Sequence, residues 1–344
     1  MISVAINGYG RIGRIAHRII LRSHPELQVV AINAGSSTDL QGWMYLLKYD
    51  SNYGVLDGIE LGVKPNTDTT KSDFLGHLVV NGKDIPVYSQ KDPTLLPWRE
   101  VGVDVVLECT GHFLTQDKAQ THITAGAKKV VMSAPSKDDS ATYVVSVNNT
   151  TYKGEDIVSN ASCTTNSITP VAKIMEDAFG IEKAMMTTIH SYTSDQELLD
   201  GGHKDYRRAR SAAKNIVPTT TGATRAAALA LPALKGIFEG LAIRVPTSVG
   251  SLSDFTFLLK KDVTVEEVGD AFTKAEQGTY KGIIQTTTEP LVSSDIVGNT
   301  HSSIVDLSLT QVVGGNMVKV IAWYDNEWGY SSRLVELASE VGGK

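Results

Sequence analysis

Between Ser159 and Asn166 the chain sets a single thiol, Cys163, among hydroxyl and amide side chains just ahead of an apolar run. Ala172, Ile174, Met175 and Ala178 recur in that run at roughly helical spacing, which predicts a helix that Cys163 opens. A helix N-terminus favours a thiolate through its free N–H groups and dipole, and the thiolate is the nucleophilic form. The same N–H groups suit an oxyanion or a phosphate. The competing reading, an inert buried cysteine, sits badly with Ser162, Thr164, Thr165 and Asn166 around it.

A second constellation lies at the amino terminus. The run from Ile2 to Asn7 reads as a buried strand that leads into Gly8-Tyr9-Gly10-Arg11-Ile12-Gly13, a G-x-G-x-x-G pattern. Ile12, Ile15, Ala16, Ile19 and Ile20 then supply one face of a helix that ends before Pro25, and a second strand runs from Leu27 to Asn33. In that setting the three glycines differ in what they permit. Gly8 allows the tight turn, Gly10 lets backbone approach a pyrophosphate, and Gly13 allows close helix–strand packing. At the end of the second strand, about twenty residues on, dinucleotide sites commonly hold a carboxylate that bonds the ribose 2′-hydroxyl and repels a 2′-phosphate. Here the residues are Asn33-Ala34-Gly35-Ser36-Ser37, with no carboxylate until Asp39. The expectation is a site preferring NADP, with NAD possible, in which Ala34 removes the repulsion and Ser36 and Ser37 accept the phosphate.

These sites need elements to hold them. Strand-like runs at 103–108 and 130–133 flank a helical segment at 116–125, as an open, mostly parallel, doubly wound sheet requires. Thr110 and Ser133 then fall at strand ends, where such sheets bind ligands. Beyond the Cys163 helix, strand-like runs at 184–192, 240–245, 253–259, 303–309 and 317–323 follow one another with helices only near 224–234 and 265–277, which predicts a largely antiparallel second sheet. A final helical segment covers 328–341. The fold class read from this is α/β plus α+β: a dinucleotide-binding domain over 1–162, onto which the 329–344 helix packs back, and a second domain over 163–328.

A chain of 344 residues with net charge −6 has room for two cores and carries no basic footprint for nucleic acid. Two cysteines, Cys109 and Cys163, suit a reducing compartment, no apolar stretch has the length of a membrane span, and no signal segment precedes the first strand, so the expected location is the cytoplasm. No metal site is expected.

Five motifs in order carry a resemblance over essentially the whole chain. Asn7 to Arg14, Lys48-Tyr49-Asp50-Ser51, Ser162 to Asn166, Thr188-Ile189-His190-Ser191-Tyr192-Thr193 and Trp323 to Tyr330 resemble phosphorylating glyceraldehyde-3-phosphate dehydrogenases. The resemblance implies a Rossmann domain with a catalytic domain, a homotetramer, and the reversible oxidation of D-glyceraldehyde 3-phosphate to 1,3-bisphosphoglycerate with NAD(P) and inorganic phosphate, within glycolysis or gluconeogenesis. It implies that Cys163 forms the thiohemiacetal and thioester and that His190, held in an ion pair with the thiolate, exchanges the hydroxyl proton. It matches Thr193 and Arg244 to the substrate's phosphate, and Ser162, Thr164, Thr221 and Gly222 to inorganic phosphate. Arg11 and Ile12 match the pyrophosphate loop, while Asn326 and Tyr330 frame the nicotinamide.

The chain departs from the family pattern in several places. Ser167 stands where a second cysteine is usual, which excludes a disulfide to Cys163 at that spacing. Gly201-Gly202 replaces a usual Leu-Pro in a loop that the family brings near a neighbouring subunit's adenosine, and Lys91 replaces a frequent arginine near the adenine; both agree with room and charge for a 2′-phosphate. Cys109 replaces a frequent serine and is read as structural. The competing activity is erythrose-4-phosphate dehydrogenase, in which water replaces phosphate as the thioester's acceptor; a secondary non-catalytic binding role is the alternative of another class.

Overall fold

The computed structural model describes residues 1–68, 70 and 73–343. Its elements in chain order are β1 (Ile2–Asn7), α1 (Arg11–Ser23), β2 (Leu27–Asn33), α2 (Leu40–Lys48), β3 (Tyr49–Asp50), β4 (Gly54–Val55), β5 (Leu61–Pro65), β6 (Phe74–Val80), β7 (Lys83–Tyr88), β8 (Val105–Glu108), α3 (Gln116–Thr124), β9 (Lys129–Met132) and β10 (Ile157–Ser159). There follow α4 (Cys163–Phe179), β11 (Ile181–Ser191), β12 (Val217–Thr220), α5 (Ala223–Ala230), β13 (Phe238–Val245), β14 (Ser251–Leu259), α6 (Val265–Gln277), β15 (Ile284–Thr287), β16 (Ser303–Val313), β17 (Met317–Tyr324) and α7 (Trp328–Gly342).

The chain divides into two compact units. The first comprises Met1–Tyr143, Thr151–Ala161 and Ser331–Lys344, of which Lys344 lies outside the described residues. The second comprises Val144–Thr150 and Ser162–Tyr330, so the short segment 144–150 groups with the second unit and not, as the sequence suggested, with the first.

In the first unit one sheet has the order β10-β9-β8-β1-β2-β7-β6-β5. From β10 to β7 the pairing is parallel, and the hairpin strands β6 and β5 extend it antiparallel. The order reverses at β1, with β2 on one side and β8 on the other, which makes the loops after β1 and β8 the topological switch point where α/β sheets take their ligands. Ala5, Val106, Val130, Met132 and Trp98 are among the residues filling one core of this unit. Residues of α7 return to it: a Cβ on Gly342 would lie 2.7 Å from methyls of Ile2 and Val105, so a larger residue there would force those side chains to shift.

The second unit is built on a sheet of order β12-β13-β11-β14-β17-β16-β15. Its pairs are antiparallel except β11 with β13 and β15 with β16. Alternate residues of β14 are buried, the period-2 pattern of a sheet whose one face packs on a core. The longer strands than the sequence runs suggested, notably β11 and β16, follow from ladder pairing that continues past polar residues such as Lys183.

Candidate functional site

The thiol site belongs to the second unit. Ser162 caps α4, its Oγ accepting from the backbone N–H of Thr165 at 3.0 Å, so Cys163 takes the first helical position. The turn leading in is strained: Ala161 holds a positive φ of 54°, a conformation that costs about 1–3 kcal/mol for a residue with a Cβ. His190 comes from near the end of β11 and brings Nε2 to 3.4 Å from Cys163 Sγ. On the other side of the ring Nδ1 donates to the carbonyl of Ser191 at 2.6 Å, which leaves Nε2 as the lone-pair nitrogen facing sulfur.

Strand register supplies the cation. β11 and β13 run parallel with His190 opposite Arg244, and the Arg244 Nη1 donates to the same Ser191 carbonyl at 3.1 Å. Two donors converging on one oxygen bring Nη1 to 2.9 Å from Nδ1. Arg244 Nε is buried with no partner among the described residues, which leaves a donor for an anion. Thr164 Oγ1 meets the Tyr324 hydroxyl at 3.0 Å, and Thr188 meets it at 2.7 Å, so the Tyr324 ring stands edge-on beside His190.

Burial dominates the electrostatics here. It pushes the Cys163 thiol up, against the lowering effect of Arg244 and of bonds at Thr164. It also drives the His190 imidazole down to about 3, with Arg244 acting in the same direction. Both shifts run against the ion pair that the family resemblance implied, and Nε2 is placed to exchange a proton with the thiol.

Of the residues matched to phosphates, Ser162 and Thr164 flank Cys163 on α4. Thr221 and Gly222 come immediately before α5, whose Ala223 carbonyl lies 3.5 Å from Thr165 Oγ1. The Thr221 hydroxyl accepts from Ala223 N–H at 3.2 Å, while Gly222 opens α5 without any side-chain cap. Thr193 is half-buried and follows β11 by two residues. Asn326 is buried, and its Oδ1 accepts three bonds, from Ser191 Oγ at 2.9 Å, Gly250 N at 3.1 Å and Ser251 Oγ at 3.0 Å. Those bonds fix the amide so that Nδ2 is the end presented to a ligand. Tyr330 is buried at the start of α7.

In the first unit a cleft of about 570 Å³ opens beside the switch point, lined among others by Gly8, Gly10, Ala34, Lys91 and Thr110. Gly8 has φ +94°, and a Cβ there would meet the backbone of Cys109 at 2.7 Å; one on Gly13 would lie 2.2 Å from the Gly8 carbonyl. Gly10 caps α1 with no side-chain bond and no acidic residue follows in the first turn, which leaves the helix N-terminus open to an anion. The donor set and the bare backbone fit a dinucleotide's pyrophosphate.

Arg11 and Ile12 begin α1 but do not line this cleft. The Arg11 guanidinium grips Asp50 with bonds of 2.5 and 3.2 Å, so it fixes the loop to β3 and leaves the anion to backbone N–H groups. Ser36 and Ser37 are exposed and stand outside the cleft lining, as does Ser133, which bonds Cys109. Cys109 itself lines the cleft, and burial pushes its thiol up to about 12, so it is no nucleophile. Glu108, His122 and Tyr324 were missed in sequence. The signal available for Glu108 was a lone carboxylate ending an apolar strand, which burial makes costly unless it is paired.

Among the described residues no group of three or more metal-ligating side chains occurs, and no helix is long and apolar enough to cross a membrane. Residues 2–116 match the model of the glyceraldehyde 3-phosphate dehydrogenase NAD binding domain, and residues 162–326 match that of its C-terminal domain. The chain is 50% identical over 345 residues to the glyceraldehyde-3-phosphate dehydrogenase of Geobacillus stearothermophilus, covering 100% of this chain and 99% of the relative. With glyceraldehyde-3-phosphate dehydrogenase 1 of Bacillus subtilis it shares 49% over 345 residues, at the same coverage. It shares 49% over 346 residues with the enzyme of that name from Bacillus cereus, again covering 100% and 99%.

Proposed function

Since this chain belongs to the glyceraldehyde-3-phosphate dehydrogenase family, an oxidoreductase family with a nicotinamide-dinucleotide domain, we propose that it oxidises D-glyceraldehyde 3-phosphate to 1,3-bisphosphoglycerate with inorganic phosphate, reversibly and with NADP preferred over NAD. The observation that carries the chemistry is Cys163 Sγ at the start of α4, 3.4 Å from the lone-pair nitrogen of His190.

Cys163 Sγ adds to the aldehyde carbon while its proton passes to His190 Nε2 and on to the aldehyde oxygen, giving a thiohemiacetal and returning His190 to its neutral form. The dinucleotide, when bound, supplies the hydride acceptor for the oxidation to a thioester. His190 takes the hydroxyl proton at that step, and its Nδ1–H bond to Ser191 holds the ring in the tautomer this needs. The N-terminus of α4 stabilises the oxyanion of each tetrahedral species. A phosphate oxygen then attacks the thioester carbon, the C–S bond breaks, and Cys163 leaves as thiol with the proton returned by His190.

Two anion sites serve this sequence. Arg244, with its unpaired Nε, and Thr193 hold the phosphate of the substrate, and Ser162, Thr164, Thr221 and Gly222 hold the attacking phosphate. Asn326 donates from Nδ2 to the nicotinamide carboxamide, with Tyr330 against the ring. Gly8, Gly10 and Gly13 with the backbone N–H groups of Arg11 and Ile12 form the pyrophosphate loop, and Thr110 lines the cleft with Ser133 bonded to Cys109. Ala34 and Lys91 of the cleft lining, with the exposed Ser36 and Ser37 that follow Ala34 in the chain, receive the 2′-phosphate. A homotetramer and a cytoplasmic place in glucose metabolism are read from the family.

Initial rates with glyceraldehyde 3-phosphate, run with and without phosphate and with each dinucleotide, test the proposal. Turnover that needs phosphate and a higher kcat/KM for NADP are expected. Rates independent of phosphate would mean hydrolysis of the thioester, and a strong NAD advantage would overturn the cofactor assignment.

A further inference from the structure

Among the buried carboxylates that the proposed reaction leaves unused, Glu108 stands at the dinucleotide cleft. Glu108, at the end of β8, is completely shielded from solvent, and its two oxygens receive four donors. Oε2 accepts from Asn7 Nδ2 at 2.5 Å and from His122 Nε2 at 3.1 Å, and Oε1 accepts from the Thr110 backbone N–H at 2.8 Å and from the Thr110 hydroxyl. His122 is equally buried, and its Nδ1 accepts from Trp98 Nε1 at 3.1 Å, which assigns the ring proton to Nε2.

The net extends across the strand ends from Glu108 through Asn7 to Asn33 and the Gln90 backbone. Asn7 Oδ1 accepts from Asn33 Nδ2 at 2.7 Å; Asn33 Oδ1 accepts from the Gln90 N–H at 2.9 Å, and Asn33 Nδ2 returns a bond to the Gln90 carbonyl at 2.9 Å. Register makes this possible, because Asn7 lies opposite Asn33 on β2 and opposite Glu108 on β8. Four members, Asn7, Asn33, Gln90 and Thr110, line the 570 Å³ cleft, while Glu108, His122 and Trp98 stand behind them. Each side-chain amide in this net is oriented by the one before it, and the orientation originates at a group that only accepts.

We propose that Glu108 is the positioning residue of the dinucleotide cleft, fixing the Asn7 amide and the Thr110 turn in the arrangement that receives the cofactor. The inference rests on the reading of that cleft as the dinucleotide site. Hydrogen-bond polarity at position 108, more than its size, is what sets the net. Glu108→Gln keeps size and shape but turns one acceptor into a donor, which must then face either the Thr110 N–H or the Asn7 and His122 N–H groups. Adding Asn7→Asp reverses the polarity: the new carboxylate accepts from Gln at 108, from Asn33, and from His122 Nε2, which already lies 3.3 Å from Asn7 Nδ2.

The test is isothermal titration of NAD and of NADP into the full-length protein, wild type, E108Q and E108Q/N7D, together with steady-state rates and the rate at which iodoacetamide alkylates Cys163. E108Q is expected to weaken dinucleotide binding about 10- to 100-fold, raising KM for the dinucleotide while turnover at saturation and Cys163 alkylation stay within about 3-fold of wild type. E108Q/N7D is expected to recover at least part of the loss; where E108Q does not fold, a double variant that folds and binds within about 10-fold of wild type supports the proposal equally. Unchanged binding by folded E108Q, a fall in kcat with KM unmoved, or a double variant that binds no better than E108Q would overturn the proposal. Wild type binding neither dinucleotide would instead remove the reading of the cleft itself.

Discussion

Replacing Ala34 with aspartate is expected to move cofactor choice from NADP toward NAD. Ala34 directly follows β2, is buried to 6% exposure, and lines the cleft with its N–H fixed to the Tyr88 carbonyl at 2.8 Å, so a longer side chain there enters the site from rigid backbone. The next carboxylate along the chain, Asp39, is committed to capping α2, accepting from Gly42 N–H at 2.8 Å. A 2′-phosphate of charge about −1.5 to −2 at about 5 Å from the new carboxylate is repelled by about 1–3 kcal/mol at an effective dielectric of about 40 to 80. That corresponds to about 5- to 150-fold in kcat/KM for NADP. NAD loses nothing to repulsion and gains a charge-assisted bond to its ribose hydroxyl. Initial rates against each dinucleotide at fixed substrate and phosphate give the ratio directly. A ratio that shifts by less than about 3-fold, or toward NADP, would show that the end of β2 does not read the 2′ position.

Three further outcomes follow from the geometry. His190→Gln should lower kcat by about 10²- to 10⁴-fold, the usual worth of a positioned base, while calorimetry finds dinucleotide affinity unchanged; a loss confined to KM would remove His190 from proton transfer. Ser162→Ala removes the α4 cap and should cost about 0.5–2 kcal/mol in urea unfolding as well as raising KM for phosphate, and a variant equal to wild type in both would refute the dual role. His17 is wholly buried, with Tyr9 OH at 2.6 Å from its Nδ1, and burial lowers the imidazole to about 3. The unfolded chain therefore takes up a proton near pH 6.5 that the folded chain refuses, so this contribution is whole above pH 6.5 and lost as pH falls toward 3. His17→Gln should flatten the fall of Tm over that window, and an unchanged slope would assign the acid sensitivity elsewhere.

Much of the fold was legible because local periodicity and its punctuation agree. The first strand, the glycine turn and the helix ending before Pro25 were readable since Gly8 and Gly13 occupy positions where a Cβ collides with backbone, a constraint that acts over a few residues. The helix opened by Cys163 was readable from Ser162 and the apolar spacing behind it. Less legible were strand ends, because ladder pairing carries β11 and β16 through polar residues, and the grouping of 144–150, which depends on contacts distant in sequence.

The sequence by itself determined the chemistry on offer: a thiol at a helix start, a glycine turn for a pyrophosphate, and the absence of a carboxylate at Ala34. Tertiary structure decided how those groups are set. It placed Arg244 beside His190 through the register of parallel β11 and β13, 54 residues apart, and so fixed which imidazole nitrogen faces the sulfur. It turned Arg11 onto Asp50 and left Ser36 and Ser37 outside the cleft lining. It also enclosed His190 and half-buried Cys163, so that desolvation pushes the thiol up and the imidazole down. Charge state and tautomer depend on desolvation and on partners brought in by other strands, and neither quantity is defined until the chain has folded.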